Sequence, residues 1–227
     1  MTTFRYSPGR APSRSCREAV APDIAVNRGE APPAIITEQM DAGFRLNLTD
    51  SLRLVAGVFD VRKPYFALDP GKVFRELGQV RNRGIELSLA GQITPRLNIV
   101  LGAVFLDAEV SGDEVDLGLI GKKPVGSIGR VVTGALNWNL PWVDGLSLDI
   151  SYESRSKTVA NADNSFVIPG RYIVAPGLRY RFDIADKPAT FRAQVGTLNN
   201  VDGFSYIAEG FYDNQPRRFQ MSLTVDM

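Results

Sequence analysis

Apolar and polar residues alternate without a break along the final segment of the chain. Phe219, Met221, Leu223, Val225 and Met227 are apolar, and every residue between them is polar. A two-residue period places successive side chains on opposite faces of an extended strand. The segment therefore predicts a β-strand with one apolar and one polar face.

The same alternation recurs through most of the chain. Further alternating segments begin near Met40, Ile85, Leu97, Val132, Leu146, Tyr172 and Phe191. No comparable stretch keeps a helical period over three turns. The chain is therefore predicted to be all-β, with about ten antiparallel strands.

Short and long connections alternate between the predicted strands. The short ones each contain Asp, Gly or Pro, as tight turns require, and span residues 49–51, 91–96, 141–145 and 183–188. The long ones span roughly residues 62–78, 110–129, 155–169 and 200–216. This arrangement predicts an up-and-down sheet with both chain ends on the short-turn side.

A soluble sandwich and a transmembrane barrel both fit this alternation, and three features favour the barrel. Strands of ten residues or more suit a tilted span of an apolar band about 25 Å tall, whereas soluble strands average about 5–6 residues. Short turns on one side and long loops on the other are typical of outer-membrane barrels. Aromatic residues near strand ends, such as Trp138, Trp142 and Tyr180, suit a membrane–water girdle, although they also suit the rim of a soluble core.

The polar faces of the predicted strands carry many charges. In lipid a sheet must close on itself, so that one face meets lipid and the other lines a lumen. Seven charged residues are predicted on the inner wall: Glu86, Asp149, Glu153, Arg171, Arg179, Arg181 and Arg192. A ten-stranded barrel has little room for so many long side chains. We therefore expect a partial curved sheet that belongs to a larger barrel.

Composition removes most catalytic and metal-binding chemistry. The 227 residues include no histidine and one cysteine, Cys16, and the net charge is +1. Without histidine there is no Ser–His or Cys–His catalysis and no imidazole ligand for zinc. The balanced charge excludes a basic nucleic-acid coat. We expect no enzymatic activity, no cofactor, no metal site and no nucleic-acid partner.

One acidic cluster allows an alternative interpretation as a Ca²⁺ site. Asp113, Glu114 and Asp116 lie in the second long connection, but they lack the spacing of an EF-hand. Lys122 and Lys123 lie nearby, so a solvated charged loop is the favoured interpretation.

The first 34 residues differ from the rest of the chain. They contain five of the 14 prolines, few large apolar residues and no apolar run typical of a secretory signal peptide. Residues 1–34 are predicted to be disordered or a misannotated start, and residues 35–227 to be the barrel portion. No run of about 18 apolar residues occurs, so no transmembrane helix is expected.

Five short motifs follow one another along the chain. Residues 29–39 hold Pro-Pro and then Thr-Glu-Gln, 82–86 read Asn-Arg-Gly-Ile-Glu, 168–172 read Ile-Pro-Gly-Arg-Tyr, 195–200 read Val-Gly-Thr-Leu-Asn-Asn, and 215–218 read Gln-Pro-Arg-Arg. In this order, before a final alternating strand, they resemble the C-terminal part of TonB-dependent receptors. These receptors import siderophores and cobalamin across Gram-negative outer membranes. The resemblance covers about residues 29–227.

The resemblance implies energy-dependent uptake of an iron–siderophore complex or a similar bulky nutrient at the cell outer membrane. It also implies a barrel of about 22 strands, an N-terminal plug with a TonB-coupling box, and a C-terminal aromatic residue. This sequence has about ten predicted strands, no recognisable plug or box, and Met227 at its end. We therefore expect a receptor fragment that does not transport alone. Its expected partners are the nutrient, outer-membrane lipid, the barrel-insertion machinery and, only through the missing plug, the TonB system.

Ligand contacts are expected in the long connections and the upper lumen. The candidates are Tyr65, Phe66, Arg75, Arg155, Lys157, Tyr206, Phe211 and Tyr212. Arginine and aromatic side chains suit anionic or catechol-bearing ligands, although the same residues also fit solvated loops or girdle positions. The apolar face of the last strand, from Phe219 to Met227, is the predicted insertion signal.

Two other classes of protein remain open. The alternation also fits a small stand-alone outer-membrane β-barrel and a soluble β-rich binding domain. An outer-membrane protease or phospholipase is disfavoured because such enzymes depend on histidine with aspartate or serine.

Overall fold

The computed structural model describes residues 3–11, 20–31, 33, 35–201, 203–207, 210–214 and 216–226. In chain order its elements are β1 (Thr3–Ala11), β2 (Thr37–Asn47), β3 (Leu52–Leu68), β4 (Phe74–Thr94), β5 (Leu97–Ser111), α1 (Asp113–Asp116), β6 (Arg130–Asn139), β7 (Leu146–Arg155), β8 (Thr158–Val159), β9 (Val167–Ile168), β10 (Arg171–Ile184), β11 (Lys187–Gly196), β12 (Phe204–Ile207), β13 (Gly210–Asp213) and β14 (Arg218–Val225).

Ten strands form one antiparallel sheet that follows the order of the chain. The order is β1-β2-β3-β4-β5-β6-β7-β10-β11-β14, and two small hairpins, β8–β9 and β12–β13, stand outside it. The predicted all-β fold with about ten up-and-down strands is confirmed. The edge strands are β1 and β14, and the described residues contain no pairing between them. The sheet is therefore open, as expected of a partial barrel.

The start of β1 and the end of β14 lie on the short-turn side, as predicted for the chain ends. The short connections span residues 48–51, 95–96, 140–145 and 185–186. Four of the connections at the other end are named L1 (69–73), L2 (112–129), L3 (156–170) and L4 (197–217). The long connections share one end of the sheet, which brings the loop residues of distant strands into one layer.

L1 is much shorter than the predicted loop at residues 62–78, so that prediction was wrong in its bounds. Strand β3 continues to Leu68 and β4 begins at Phe74. The register shifts between Tyr65 and Phe66, which leaves Leu77 as an extra residue on β4. A bulge of this kind interrupts the two-residue period from which strands are predicted, so the alternation disappears before the strand ends.

The register gathers the apolar side chains on one face of the sheet. Ile85, for example, lies between Val58 of β3 and Phe105 of β5. We call this face the apolar belt, and its large exposed members are Met40, Phe44, Leu46, Val58, Ile85, Leu87, Leu101, Phe105, Leu148, Ile150, Tyr152, Tyr172, Tyr180, Phe219, Met221, Leu223 and Val225. An exposed apolar surface of this extent suits contact with lipid rather than with water.

The opposite face, which we call the lumen face, is polar. All seven charged residues predicted for the inner wall share it. Glu86 lies opposite Gly57, Asp149 opposite Asn137, and Arg179 opposite Arg192. The face is concave, with a groove of about 1010 Å³ running across β2 to β6. The predicted division between a lipid face and a charged wall therefore agrees with the register.

Aromatic pairs border the apolar belt at both ends. Trp138 and Trp142 meet edge to face at 5.3 Å beside one short turn. Tyr152 and Tyr172 stack at 6.5 Å near the long connections. Aromatic rings with an apolar body and a polar tip are typical of the two membrane–water interfaces.

Part of the predicted N-terminal segment lies within the described structure. The backbone of β1 pairs with β2 from Thr3 opposite Arg45 to Ala11 opposite Thr37. Residues 20–30 form turns, and the amide of Val26 donates to the carbonyl of Lys72. The division of the chain at residue 34 stays a prediction. In the described part of the chain, no helix is long and apolar enough to cross a membrane.

We expect Leu87→Arg to destabilise the membrane-inserted chain by about 2–4 kcal/mol, because it places a charge in the middle of the apolar belt. Its neighbour Ser88 faces the lumen, so Ser88→Arg is a matched control with an expected cost below about 1 kcal/mol. Denaturant-dependent folding into phospholipid vesicles measures both values. Equal costs for the two variants would contradict the assignment of the faces.

Candidate functional site

The first group of candidate ligand contacts lies on strands rather than in a loop. Tyr65 and Phe66 belong to β3 and Arg75 to β4. The Tyr65 hydroxyl accepts a 3.4 Å hydrogen bond from the backbone amide of Val125 in L2. Its ring packs against a buried cluster formed by Leu77, Val80, Val110 and Ile120. Tyr65 therefore holds L2 against the sheet.

Arg75 is also engaged within the protein. Its guanidinium donates to Asp69 of L1 at 2.8 Å and to Glu114 of α1 at 2.6 Å. The hydrogen bond from Arg75, with another from the backbone amide of Val73, holds the pKa of Asp69 below its usual value. Arg75 thus ties L1 to L2. The described residues contain no group of three or more carboxylate, thiol or imidazole side chains placed to hold a metal ion.

An asparagine side chain fastens L3 to L2. Asn164 Oδ1 accepts from the backbone amide of Lys123 at 2.8 Å, and Asn164 Nδ2 donates to the Lys123 carbonyl at 2.9 Å. Backbone bonds from Gly121 to Ala162 at 2.7 Å and from Gly126 to Val159 at 2.9 Å extend the contact. Asn164 has φ of 60°, a left-handed conformation that asparagine tolerates better than most residues. L2 and L3 therefore form one connected layer.

A cluster of aromatic rings joins L3 to L4. Phe166 of L3 lies 5.8 Å from Phe211 of β13, and Phe211 lies 5.4 Å from Tyr206 of β12. A Cβ atom at Gly126 of L2 would lie 3.6 Å from the Tyr206 ring, so this ring also reaches L2. Phe166 and Phe211 keep about half of their surface exposed. L3 and L4 thus present aromatic surface to solvent.

Two arginines lie where L3 joins the sheet. Arg155, the last residue of β7, lies directly opposite Arg171, the first residue of β10. Arg155 donates to Glu153 at 2.7 Å, and Arg171 donates to the hydroxyl of Ser205 in β12. The contact with Ser205 brings the L4 hairpin over the lumen face. We call Arg155, Arg171, Phe166, Tyr206 and Phe211 the outer cluster.

The remaining candidates lie around the outer cluster. Lys157 is exposed in L3, next in sequence to Ser156, whose hydroxyl caps the amide of Arg130. Tyr212 lies opposite Ser205 on the β12–β13 hairpin, on the face turned away from Tyr206 and Phe211. Tyr206 and Phe211 are therefore in contact, whereas Arg155 is linked to their hairpin through its neighbour Arg171 and Ser205. Tyr65 and Arg75 contact L2 instead, and Phe66 pairs with Phe74. A role in ligand binding stays a prediction for all eight candidates.

The Asn-Asn motif in L4 has a structural role that the sequence did not indicate. Asn199 Nδ2 donates to the carbonyl of Tyr172 at 2.7 Å, and its Oδ1 accepts from the amide of Val174 at 3.2 Å. Asn200 Oδ1 accepts from the amide of Arg217 at 3.1 Å. The motif thus fixes both ends of L4 and positions the hairpin between them.

The predicted insertion signal lies on the edge of the sheet. Phe219 and Met221 are 71% and 74% exposed, and Leu223 and Val225 continue the same face of β14. Met227 falls outside the described residues. An apolar edge strand fits recognition by insertion machinery, and that role stays a prediction.

Sequence reasoning missed Phe166, Asn164 and the placement of Arg171 in the outer cluster. Phe166 follows an Asn-rich turn in a long loop, where no periodic pattern assigns it a face. Arg171 was assigned only to the inner wall, because its contact with Ser205 depends on how L4 folds back. The motif at residues 168–172 was the one signal in the sequence that the start of β10, and with it Arg171, differs from the other strands.

Comparison with known proteins shows the family to which the chain belongs. Residues 13–201 match the family model described as TonB dependent receptor-like, beta-barrel. The ferrichrome receptor FcuA of Yersinia enterocolitica is 24% identical over 207 residues, which cover 88% of this chain and 27% of that protein. The metal-pseudopaline receptor CntO of Pseudomonas aeruginosa is 26% identical over 202 residues, which cover 82% and 27%.

Solved structures agree with this result. BauA, the ferric preacinetobactin receptor of Acinetobacter baumannii, matches all of this chain with a TM-score of 0.74 and 26% identity. The match covers 34% of BauA. The chain thus spans about a third or less of the length of the relatives that it matches.

We expect Asn164→Ala to loosen L2 from L3 without unfolding the sheet. Removing two hydrogen bonds worth roughly 0.5–1.5 kcal/mol each should speed amide exchange at Lys123 by about five- to 150-fold. Hydrogen exchange followed by mass spectrometry or NMR measures this rate. Asn161→Ala is the matched control, because Asn161 bonds to Ser165 and Phe166 within L3. Equal acceleration in both variants would contradict the proposed connection.

Proposed function

We propose that the chain is part of a receptor that takes up iron–siderophore complexes, because it belongs to the TonB dependent receptor-like β-barrel family. This family consists of transport receptors located in the outer membrane of Gram-negative bacteria. The relatives named above are receptors for ferrichrome, metal-pseudopaline and ferric preacinetobactin. A small chelate of iron or another metal is therefore the proposed ligand.

The outer cluster is the observation that supports this proposal most directly. Arg155 and Arg171 face each other at the loop end of the lumen face, and the half-exposed rings of Phe166 and Phe211 belong to L3 and L4 at the same end. Guanidinium groups bind carboxylate and catecholate oxygens in a bidentate manner, and aromatic rings pack on planar ligand surfaces. The arrangement therefore favours an anionic chelate with aromatic or catechol groups.

Ligand binding at the outer cluster requires loops that are held in position, and it requires no chemical reaction. The Asn164 contact and the Asn199 contacts hold L3 and L4 in place before a ligand arrives. A loop that is already ordered loses less conformational entropy on binding, so affinity rises. No bond in the ligand has to break for transport, and we infer that the chain has no catalytic activity.

Membrane contacts follow from the other face of the sheet. We propose that the apolar belt contacts outer-membrane lipid and that β14, with Phe219 and Met221, is read by the barrel-insertion machinery. Coupling to TonB would involve parts of the receptor outside this chain. The extent of the apolar belt disfavours a soluble β-rich domain, since such a surface aggregates in water. The unpaired edges β1 and β14 disfavour a small stand-alone barrel.

We expect the refolded chain in detergent to bind the ferric complex of 2,3-dihydroxybenzoate, an anionic catecholate, more tightly than ferrichrome, which is neutral. Arg171→Gln should weaken catecholate binding by about ten- to a hundredfold, because a charge-assisted hydrogen bond contributes roughly 1.5–3 kcal/mol. Equilibrium dialysis with radioactive iron measures both affinities.

The matched control for this experiment is Arg53→Gln. Arg53 also lies on the lumen face, but on β3, where it donates to Asn47 at 3.2 Å, away from the outer cluster. This variant should bind the catecholate within twofold of the unchanged chain. The proposal fails if no saturable binding occurs or if both variants lose affinity equally.

Alone, the chain should fractionate with the outer membrane when directed there but should not restore iron uptake. A sheet with two unpaired edges does not enclose a channel. Carbonate extraction of membranes and radioactive iron uptake in a receptor-deleted strain measure the two properties. Restored uptake by this chain alone would contradict the prediction that it is an incomplete transporter.

A further inference from the structure

A second group of cations lies on the lumen face, far from the outer cluster. Arg179 of β10 lies directly opposite Arg192 of β11, and Arg181 follows two residues later on the same face. Eight residues of extended strand, roughly 25 Å, separate Arg179 from Arg171. Like charges placed directly opposite each other across a sheet repel, so this pair needs a compensating partner.

The protein itself does not supply that partner within the part of the chain that the structure describes. Arg179 Nε is buried and has no hydrogen-bond acceptor there. Its other register neighbour, Ser147, donates its hydroxyl hydrogen to Asn139 at 2.7 Å. A guanidinium group carries five N–H donors, and a buried donor without an acceptor is unfavourable.

The nearest carboxylate is directed elsewhere. Asp149 lies opposite Gly177, two residues before Arg179, and lines the same cavity. Its Oδ1 atom accepts from Asn137 Nδ2 at 2.5 Å. Ion pairs among the described residues include neither Asp149 with Arg179 nor Asp149 with Arg192. Two arginines and one carboxylate leave the cavity with an excess positive charge.

The cavity has a size and a lining that suit a small oxyanion. Its volume is about 340 Å³, and its polar lining is Asn98, Asn137, Asp149, Ser151, Arg179, Arg192 and Gln194. Guanidinium and amide side chains of β5, β6, β10 and β11 thus line one space. The planar fork of arginine matches the two oxygens of a carboxylate or a phosphate.

We propose that Arg179 and Arg192 form a second anion-binding site, which takes the carboxylate or phosphate oxygens of a small multiply charged anion. Only the biological role of this site rests on the proposed function. An anionic chelate that leaves the outer cluster and moves along the lumen face would reach Arg179 and Arg192 next. Binding of a small anion at this cavity requires neither iron nor the loops.

The test uses the full chain refolded in detergent, with citrate and inorganic phosphate as separate probes. Titration calorimetry at constant ionic strength, adjusted with chloride, removes the contribution of general screening. Saturable binding of one equivalent is expected for citrate, phosphate or both, and the probe that binds identifies the oxyanion. The Nε–H resonance of Arg179, assigned from its loss in Arg179→Lys, should shift on titration.

Substitutions distinguish anion binding at one specific site from nonspecific attraction to the charged lumen face. Arg179→Gln and Arg192→Gln should each weaken binding at least tenfold, and Arg192→Lys should weaken it less because the charge remains. Arg53→Gln, which also removes a lumen-face charge, should bind within twofold of the unchanged chain. If a glutamine variant does not fold, the affinity of Arg192→Lys and the shift of the Arg179 resonance in the unchanged chain still test whether the anion binds at this site.

Three results would overturn the proposal: no saturable binding of either probe, an unshifted Arg179 resonance, or equal loss in all three glutamine variants. The last result would indicate adventitious ions on a charged wall. Failure of this site and failure of the proposed function are distinguishable. Ferric catecholate binding that depends on Arg171 without citrate or phosphate binding refutes only the second site, and the reverse outcome refutes only the outer cluster.

Discussion

The backbone hydrogen bonding of the sheet is the constraint on which the rest of the structure depends. A strand in lipid finds its hydrogen-bond partners only in neighbouring strands, so the register fixes every side chain on one of two faces. A shift of one residue between β4 and β5 would exchange Ile85 and Leu87 for Glu86 and Ser88 on the lipid side. The apolar belt and the charged lumen face are thus two results of one pairing pattern.

The loops depend on this frame in a different way. Strands that end side by side deliver L2, L3 and L4 to one region, and a few polar side chains then connect them. Asn164 bridges L3 to L2, and Asn199 holds the start of L4 against β10. A small buried cluster of Leu77, Val80, Val110 and Ile120 packs L2 on the sheet, while most other large apolar residues belong to the belt. Order in the loops therefore rests on this cluster, on hydrogen bonds and on a few aromatic contacts.

The two-residue period was sufficient to predict the strands, their antiparallel order and the faces of residues such as Glu86 and Arg192. It was insufficient where the period breaks. The bulge beside Tyr65 and Phe66 concealed the ends of β3 and β4, and these aromatic residues were consequently assigned to a loop. The outer cluster was only half predicted, because Arg171 and Phe166 meet their partners through L4, and the path of a loop is not encoded in any local period.

The placement of arginine on β10 connects the fold to the proposed binding of anions. Arg171 and Arg179 each lie directly opposite another arginine, Arg155 and Arg192, so the same unfavourable pairing occurs twice on one lumen face. A sheet selected for stability alone would place a carboxylate opposite each of them, since opposite charges across strands are stabilising. At the outer pair Glu153 and Ser205 each satisfy one guanidinium donor, whereas the inner pair keeps a buried donor without an acceptor. The electrostatic repulsion within both arginine pairs is relieved when an anion binds between them. An oxyanion between two guanidinium groups makes an attractive contact with each of them.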